Sequence, residues 1–279
     1  MSVNRYLILG IVVFLGLGTA IFFLPRSVVN TKTLATDSST SKAVVADPEG
    51  SQGASMHAVD PESQAALEAL RKEVLSAKAG GQQGVLYEKL AKMYLTNHQY
   101  DSAGWYFEKS AGLSSKPELK FAAGSAYFEG IAFASNTSKV DFLSDKARAL
   151  LEQIPEGHPK KTEAEAKSAL TWVNSPNPMK GILKLRALAE KEPQNLYVAY
   201  QLGMLSYQSG QYEKAIGRFQ KVVAGEKENV NAWFYLAQSL MQTGKKSEAL
   251  EALEAGLPFA KEEDTKASFQ ELKKQLTEN

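Results

Sequence analysis

The side chains best suited to chemistry in this sequence are its three histidines, His57, His98 and His158. A histidine acts as a general base or binds a metal only when partner side chains stand at suitable spacings. None of the three lies in a triad or metal-binding motif. The sequence also has no cysteine, which excludes thiol catalysis, disulfides and thiolate metal sites. An enzyme is therefore not expected, and no cofactor is predicted.

Composition and motifs exclude further classes of protein. The chain lacks the glycine-rich phosphate loop, the HExxH zinc helix and the calcium-binding EF-hand pattern. Its 32 basic and 31 acidic residues leave a formal charge of +1, so no positive excess draws it to nucleic acid. Hydrophobic residues make up 44% of the chain, which is enough to build a core. We therefore expect a folded protein that binds no nucleic acid.

An uncharged apolar run of nineteen residues extends from Tyr6 to Leu24. A helix of that length crosses most of a hydrocarbon layer about 30 Å thick. The alternative is a cleaved signal peptide, but its apolar region is usually shorter, and no small-residue cleavage site follows the run. We predict an N-terminal transmembrane anchor over residues 1–25, in contact with membrane lipid. Residues 26–59, rich in Ser, Thr and Ala without helical or strand period, are predicted to be a flexible tether.

The rest of the chain reads as a series of helices with an internal repeat. Asp60 and Pro61 suit an N-cap and a first helical position. Residues 196–229 align with residues 230–263 at an offset of 34 residues without a gap. The matched pairs are Gly210 with Gly244, Ala215 with Ala249, and Phe219 with Leu253. A repeat of this length is typical of a helical solenoid.

This pattern resembles the tetratricopeptide repeat (TPR) family, whose 34-residue unit is a helix-turn-helix. Trp233 takes the first aromatic position of the family, and Gly210 takes the turn between the two helices. The resemblance implies an all-α TPR solenoid of about five units between cap helices, behind the transmembrane helix. The predicted domains are a cap helix at 60–83, a solenoid at 84–263 with units 84–117, 118–161 with an insertion, 162–195, 196–229 and 230–263, and a cap helix at 264–279.

The resemblance also implies a binding surface, because the family lines its concave face with fixed positions of each first helix. In the last two units those positions hold Tyr197, Tyr200, Met204, Tyr207, Asn231, Phe234, Gln238 and Met241. Aromatic and thioether side chains offer adaptable contact area, and amides can bond a peptide backbone. The alternative is that a cap helix covers Phe234 and Met241 as ordinary core.

The resemblance implies a protein or peptide partner, and the chain is similar to bacterial single-pass TPR proteins that accompany the secretion machinery. We expect an inner-membrane scaffold with periplasmic repeats that acts in envelope assembly or protein translocation. Glu88 and Lys92 depart from the clamp that holds chaperone tails, which disfavours a mitochondrial outer-membrane receptor. The alternative function is a structural membrane protein that self-assembles into a homo-oligomer.

Overall fold

The computed structural model describes residues 61–77, 80–173 and 175–278. This part of the chain forms twelve α-helices and contains no strand, so the predicted all-α class is confirmed. The helices are α1 (Pro61–Ser76), α2 (Gly81–Thr96), α3 (Tyr100–Ser114), α4 (Pro117–Gly130), α5 (Thr137–Leu151), α6 (Lys161–Thr171), α7 (Pro178–Lys191), α8 (Leu196–Gln208), α9 (Tyr212–Gly225), α10 (Val230–Gln242), α11 (Lys246–Gly256) and α12 (Glu263–Glu278). Short 3-10 turns, Ile131–Phe133 and Leu257–Phe259, follow α4 and α11.

The predicted membrane anchor, residues 1–25, and the predicted tether, residues 26–59, lie outside the described residues. Among the helices from α1 to α12, none is both long enough and apolar enough to cross a membrane. The described helices therefore do not test the transmembrane prediction.

The helices pack in succession as pairs. Helices α2 and α3, α4 and α5, α6 and α7, α8 and α9, and α10 and α11 form the pairs, and each second helix also packs on the first helix of the next pair. The first helices of neighbouring pairs touch as well, as α4 touches α6 and α8 touches α10. Because the first helices meet, they line one face of the array, and the second helices lie on the other side.

The turns of the first, fourth and fifth pairs share a backbone conformation. Gly210 has a φ of 73° and Gly244, at the matched position 34 residues later, has a φ of 77°. His98 occupies the equivalent turn of the α2–α3 pair with a φ of 56°. Positive φ is strained for residues with a side chain and free for glycine. The predicted place of Gly210 in the turn between two helices is thus confirmed.

The insertion in the second pair folds onto its neighbour. Phe133 stacks on Tyr100, with ring centroids 5.2 Å apart. The Lys139 ammonium bonds the Asp101 carboxylate at 2.7 Å. The side chain of Asn136 accepts a hydrogen bond from the Lys139 backbone N–H and so caps α5. These contacts fix the extra residues against the preceding pair.

The third pair is built differently at its turn. Asn177 stands at the N-cap of α7 and Pro178 in its first turn, although the Asn177 side chain makes no capping bond. The Trp172 ring lies between two cations, with Arg148 Cζ 4.1 Å and Lys180 Nζ 3.5 Å from its centroid. Such cation–π contacts join α5 and α7 through the end of α6.

The core between α8 and α9 depends on one close approach. Phe219 is fully buried, and a Cβ added at Gly203 would lie 2.8 Å from its ring. Real Cβ atoms do not come so close, so only glycine lets α8 approach α9 to this distance.

We expect Gly203→Ala and Gly217→Ala to change stability in opposite directions. At Gly203 the new methyl group collides with Phe219, which should cost about 1–3 kcal/mol. Gly217 lies on the exposed side of α9 with nothing within 4 Å, so alanine there should stabilise by up to about 1 kcal/mol through helix propensity. Chemical denaturation of both variants measures the two effects. Equal shifts of the same sign would contradict the packing described for α8 and α9.

Candidate functional site

The eight residues predicted to line the binding face lie on two neighbouring first helices. Helix α8 carries the four from the fourth unit, and α10 carries the four from the fifth unit. Asn231 is exposed, and the other seven are half-buried. Because α8 touches α10, the two sets form one surface, which we call the α8–α10 face.

Aromatic rings run across this face from one helix to the next. The Tyr200 ring lies 5.9 Å from Phe219, and the Tyr207 ring lies 5.3 Å from Tyr235. Tyr235 in turn lies 6.0 Å from both Phe219 and Phe234. Ring contacts at these distances stabilise the arrangement beyond simple burial. The rings of Tyr200 and Tyr207 are therefore held by neighbouring aromatic residues and remain partly exposed to solvent.

The phenols of this face remain protonated at neutral pH. Burial raises the pKa of Tyr200 from 10.0 to about 12, with a smaller contribution from Tyr235. The pKa of Tyr207 is raised mainly by burial. The pKa of Tyr197 is raised first by burial and then by the carboxylates of Glu163 and Glu129. The face thus offers neutral hydroxyl groups, which can donate to and accept from a peptide backbone.

Alkaline pH should weaken the fold through Tyr200. Its pKa is higher in the folded than in the unfolded chain, so the folded chain holds the proton more tightly. The associated stability is complete below pH 10.0 and is lost as the pH rises towards about 12. We expect Tyr200→Phe to make the free energy of unfolding fall less steeply over this range. Urea unfolding at several pH values measures both slopes, and identical slopes would contradict the burial of this phenol.

The repeat region is similar to known proteins in sequence and in fold. Residues 206–276 match the family model described as tetratricopeptide repeat. A solved tetratricopeptide repeat protein from Parabacteroides merdae ATCC 43184 superimposes with a TM-score of 0.52 at 14% identity, covering 77% of this chain and 79% of that one. The fold is a TPR solenoid.

Other solved structures resemble the TPR solenoid more distantly. YrrB, described as a TPR protein with an unusual peptide-binding site, gives a TM-score of 0.40 at 16% identity, over 74% of this chain and 99% of that one. MamA gives a TM-score of 0.42 at 17% identity, over 68% of this chain and 97% of that one. No curated protein sequence matches the chain.

The last helix of the TPR array covers part of the α8–α10 face. Phe269 of α12 is buried, and its ring lies 5.4 Å from Phe234. Phe234 is therefore shared between the face and the packing of α12, as the alternative interpretation of the sequence anticipated. Met241 is also partly buried against the same core. Tyr200, Met204 and Tyr207 on α8 pack against this core as well. The rings of Tyr200 and Tyr207 contact aromatic residues of α9 and α10.

A cluster of charged side chains lies on the first helices of the second and third pairs, α4 and α6. Lys167 of α6 is nearly buried, with its ammonium 3.0 Å from Glu129 and 3.7 Å from Glu163. The same ammonium lies 5.4 Å from the centroid of the Phe128 ring. A buried cation requires such partners. The sequence does not reveal this cluster, because Lys167 falls at a position for which the repeat pattern requires no particular residue type.

Tyr235 is the second residue that the sequence analysis missed. It connects Tyr207, Phe219 and Phe234, although it lies one position after the predicted Phe234. Its aromatic character was the one available signal, because the matched position in the preceding TPR unit is Gln201. Among the described residues, no group of three His, Asp or Glu side chains is arranged to hold a metal ion.

Proposed function

We propose that this protein is a membrane-anchored TPR scaffold that binds a protein or peptide partner through the α8–α10 face and has no catalytic activity. The observation that carries the proposal is the row of half-buried rings, Tyr200, Tyr207 and Phe234, beside the exposed amide of Asn231. Aromatic side chains partly fixed by a core provide contact area at low entropic cost. The amides and neutral phenols supply hydrogen bonds to an extended backbone.

Peptide selection tests the binding function. A displayed library of random peptides is selected on the purified full chain, and enriched peptides are synthesised and measured by calorimetry. We expect peptides with apolar or aromatic residues to be enriched, because the α8–α10 face is aromatic and carries no formal charge. A failure to enrich any peptide that binds in solution would count against the proposal.

The membrane part of the proposal rests on the uncharged run Tyr6–Leu24. We propose an inner-membrane location with the repeats in the periplasm and a role in envelope assembly or protein translocation. A reporter active only outside the cytoplasm, fused after Asn279, tests the orientation. Activity would support periplasmic repeats, whereas inactivity in a membrane-bound fusion would reverse the orientation. Recovery of the fusion in the soluble fraction would contradict anchoring altogether.

A further inference from the structure

Helix α7 is the second helix of the third pair, and it exposes apolar side chains beside basic ones. Met179 is 51% exposed and Leu183 is 57% exposed, and residues four apart share one face of a helix. Lys180, Lys184 and Arg186 are exposed around them. We call these five residues the α7 patch. Large apolar side chains standing together in solvent mark a site of interaction more often than isolated ones do.

The second helices of the third and fifth pairs carry net charges of opposite sign, although the whole chain has a formal charge of only +1. Helix α7 carries four basic residues and one acidic residue, whereas α11 carries one basic and three acidic residues. On α11, Glu248 and Glu251 are exposed and have no ion-pair partner within the described part of the chain. On α7, Lys184 has only a 3.5 Å contact with Glu152. Glu254 of α11 pairs with Lys273 at 2.8 Å. Among the described residues, the charged side chains without an ion pair include Arg186 on α7 and Glu248 and Glu251 on α11.

A cleft of about 640 Å³ opens between α9, α10 and α11, on the side away from the α8–α10 face. Its walls include Val223, Trp233, Leu236 and Phe259, and its charged lining residues are Glu248, Glu251 and Lys227. We call this the α9–α11 cleft. The Trp233 indole N–H donates to the Lys227 carbonyl at 2.8 Å, which holds the ring in the wall. The cleft is therefore lined mainly by apolar side chains, with two carboxylates and one ammonium among them.

An apolar cleft is not a general feature of this array. The related cleft of about 550 Å³ between α5, α6 and α7 is lined largely by charged side chains, among them Glu165 and Lys191. Glu165 stands in the third unit where Trp233 stands in the fifth. The apolar lining therefore belongs to the particular residues of the last two pairs.

We propose that the α7 patch of one copy of this chain docks into the α9–α11 cleft of a second copy. Met179 and Leu183 enter the apolar cleft, and Lys184 and Arg186 face Glu248 and Glu251. The second copy is the occupant because this chain itself carries a patch whose apolar centre complements the apolar walls of the cleft and whose basic residues complement its two carboxylates. This contact is independent of the proposed peptide-binding face.

The contact joins two different surfaces, so it is heterologous. A pair of copies leaves one patch and one cleft free in total, so further copies can add. The area of a single helix face is small, which makes each contact weak in solution. Holding the copies on one membrane raises their effective concentration and favours assembly.

Disulfide cross-linking of the full chain tests this arrangement, because the natural sequence has no cysteine to interfere. Leu183→Cys and Ala255→Cys are prepared separately and mixed under mild oxidation. Ala255 is exposed and lines the cleft, so we expect a mixed disulfide between the two variants. Mixing Leu183→Cys with Asn231→Cys, an exposed position on the opposite side, provides the control and should give little product.

Charge reversal supplies the second part of the test. Lys184→Glu with Arg186→Glu, added to Leu183→Cys, should lower the yield of mixed disulfide about tenfold. Adding Glu248→Lys with Glu251→Lys to Ala255→Cys should restore it. Circular dichroism verifies that the variants remain folded. The proposal is wrong if no mixed disulfide forms, if the control pair reacts equally, or if the charge changes have no effect. It is also wrong if the patch variants lose only binding to anionic vesicles, which would assign the patch to a membrane surface.

Discussion

Replacing Phe219 by alanine is expected to lower the free energy of unfolding by about 3–5 kcal/mol. The ring is fully buried between α8, α9 and α10, beside Gly203 and within 6.0 Å of Tyr235. Since Gly203 has no side chain to move into the space, the cavity should remain open. Urea denaturation measures the loss.

The matched control for Phe219→Ala is Phe133→Ala. Phe133 is 60% exposed and stacks on Tyr100 at the surface. Its removal should cost about 1 kcal/mol or less. Losses of similar size at the two positions would contradict the assignment of Phe219 to the centre of the packing between these helices.

The second large effect is expected on binding, from the double variant Tyr200→Ala with Phe234→Ala. Two aromatic contacts each worth about 1.4 kcal/mol or more correspond to a loss of affinity of at least about 100-fold for a selected peptide. Calorimetric titration measures the loss. The variant should also be less stable, because Phe234 packs on Phe269 of α12.

Stability and binding must be separated for this double variant. Circular dichroism shows whether the helices persist at the temperature of the titration. Tyr200→Phe with intact Phe234 provides the control, since it keeps the ring contact with Phe219 and removes only the hydroxyl. If the double variant keeps its helices and binds the peptide as well as the natural chain does, the rings take no part in binding.

The fold could be predicted because its determinants repeat along the sequence. The offset of 34 residues places Gly210 and Gly244 in turns of the same positive φ. It also places Gly203 where two helices must approach closely. Each feature depends on residues within one helix pair, so it can be recognised in the sequence of that pair alone.

The parts of the site that were missed depend on contacts between pairs. Lys167 is buried because Glu129 of the preceding pair and Glu163 of its own helix meet its ammonium. Tyr235 joins three rings from two neighbouring pairs. A 34-residue period specifies which residues face inward, but the side chains that meet across pairs depend on how the helices stack.

The most direct test of the account compares a peptide's affinity for two matched double variants of the full chain. Asn231→Arg with Gln238→Arg places charge on the α8–α10 face and leaves the ring packing in place. Gln82→Arg with Gln270→Arg makes the same chemical change at exposed positions of α2 and α12. We predict that the first variant binds a selected peptide at least about 10-fold more weakly than the natural chain, while the second binds it unchanged. Equal affinity in both variants would contradict the claim that the α8–α10 face binds the partner.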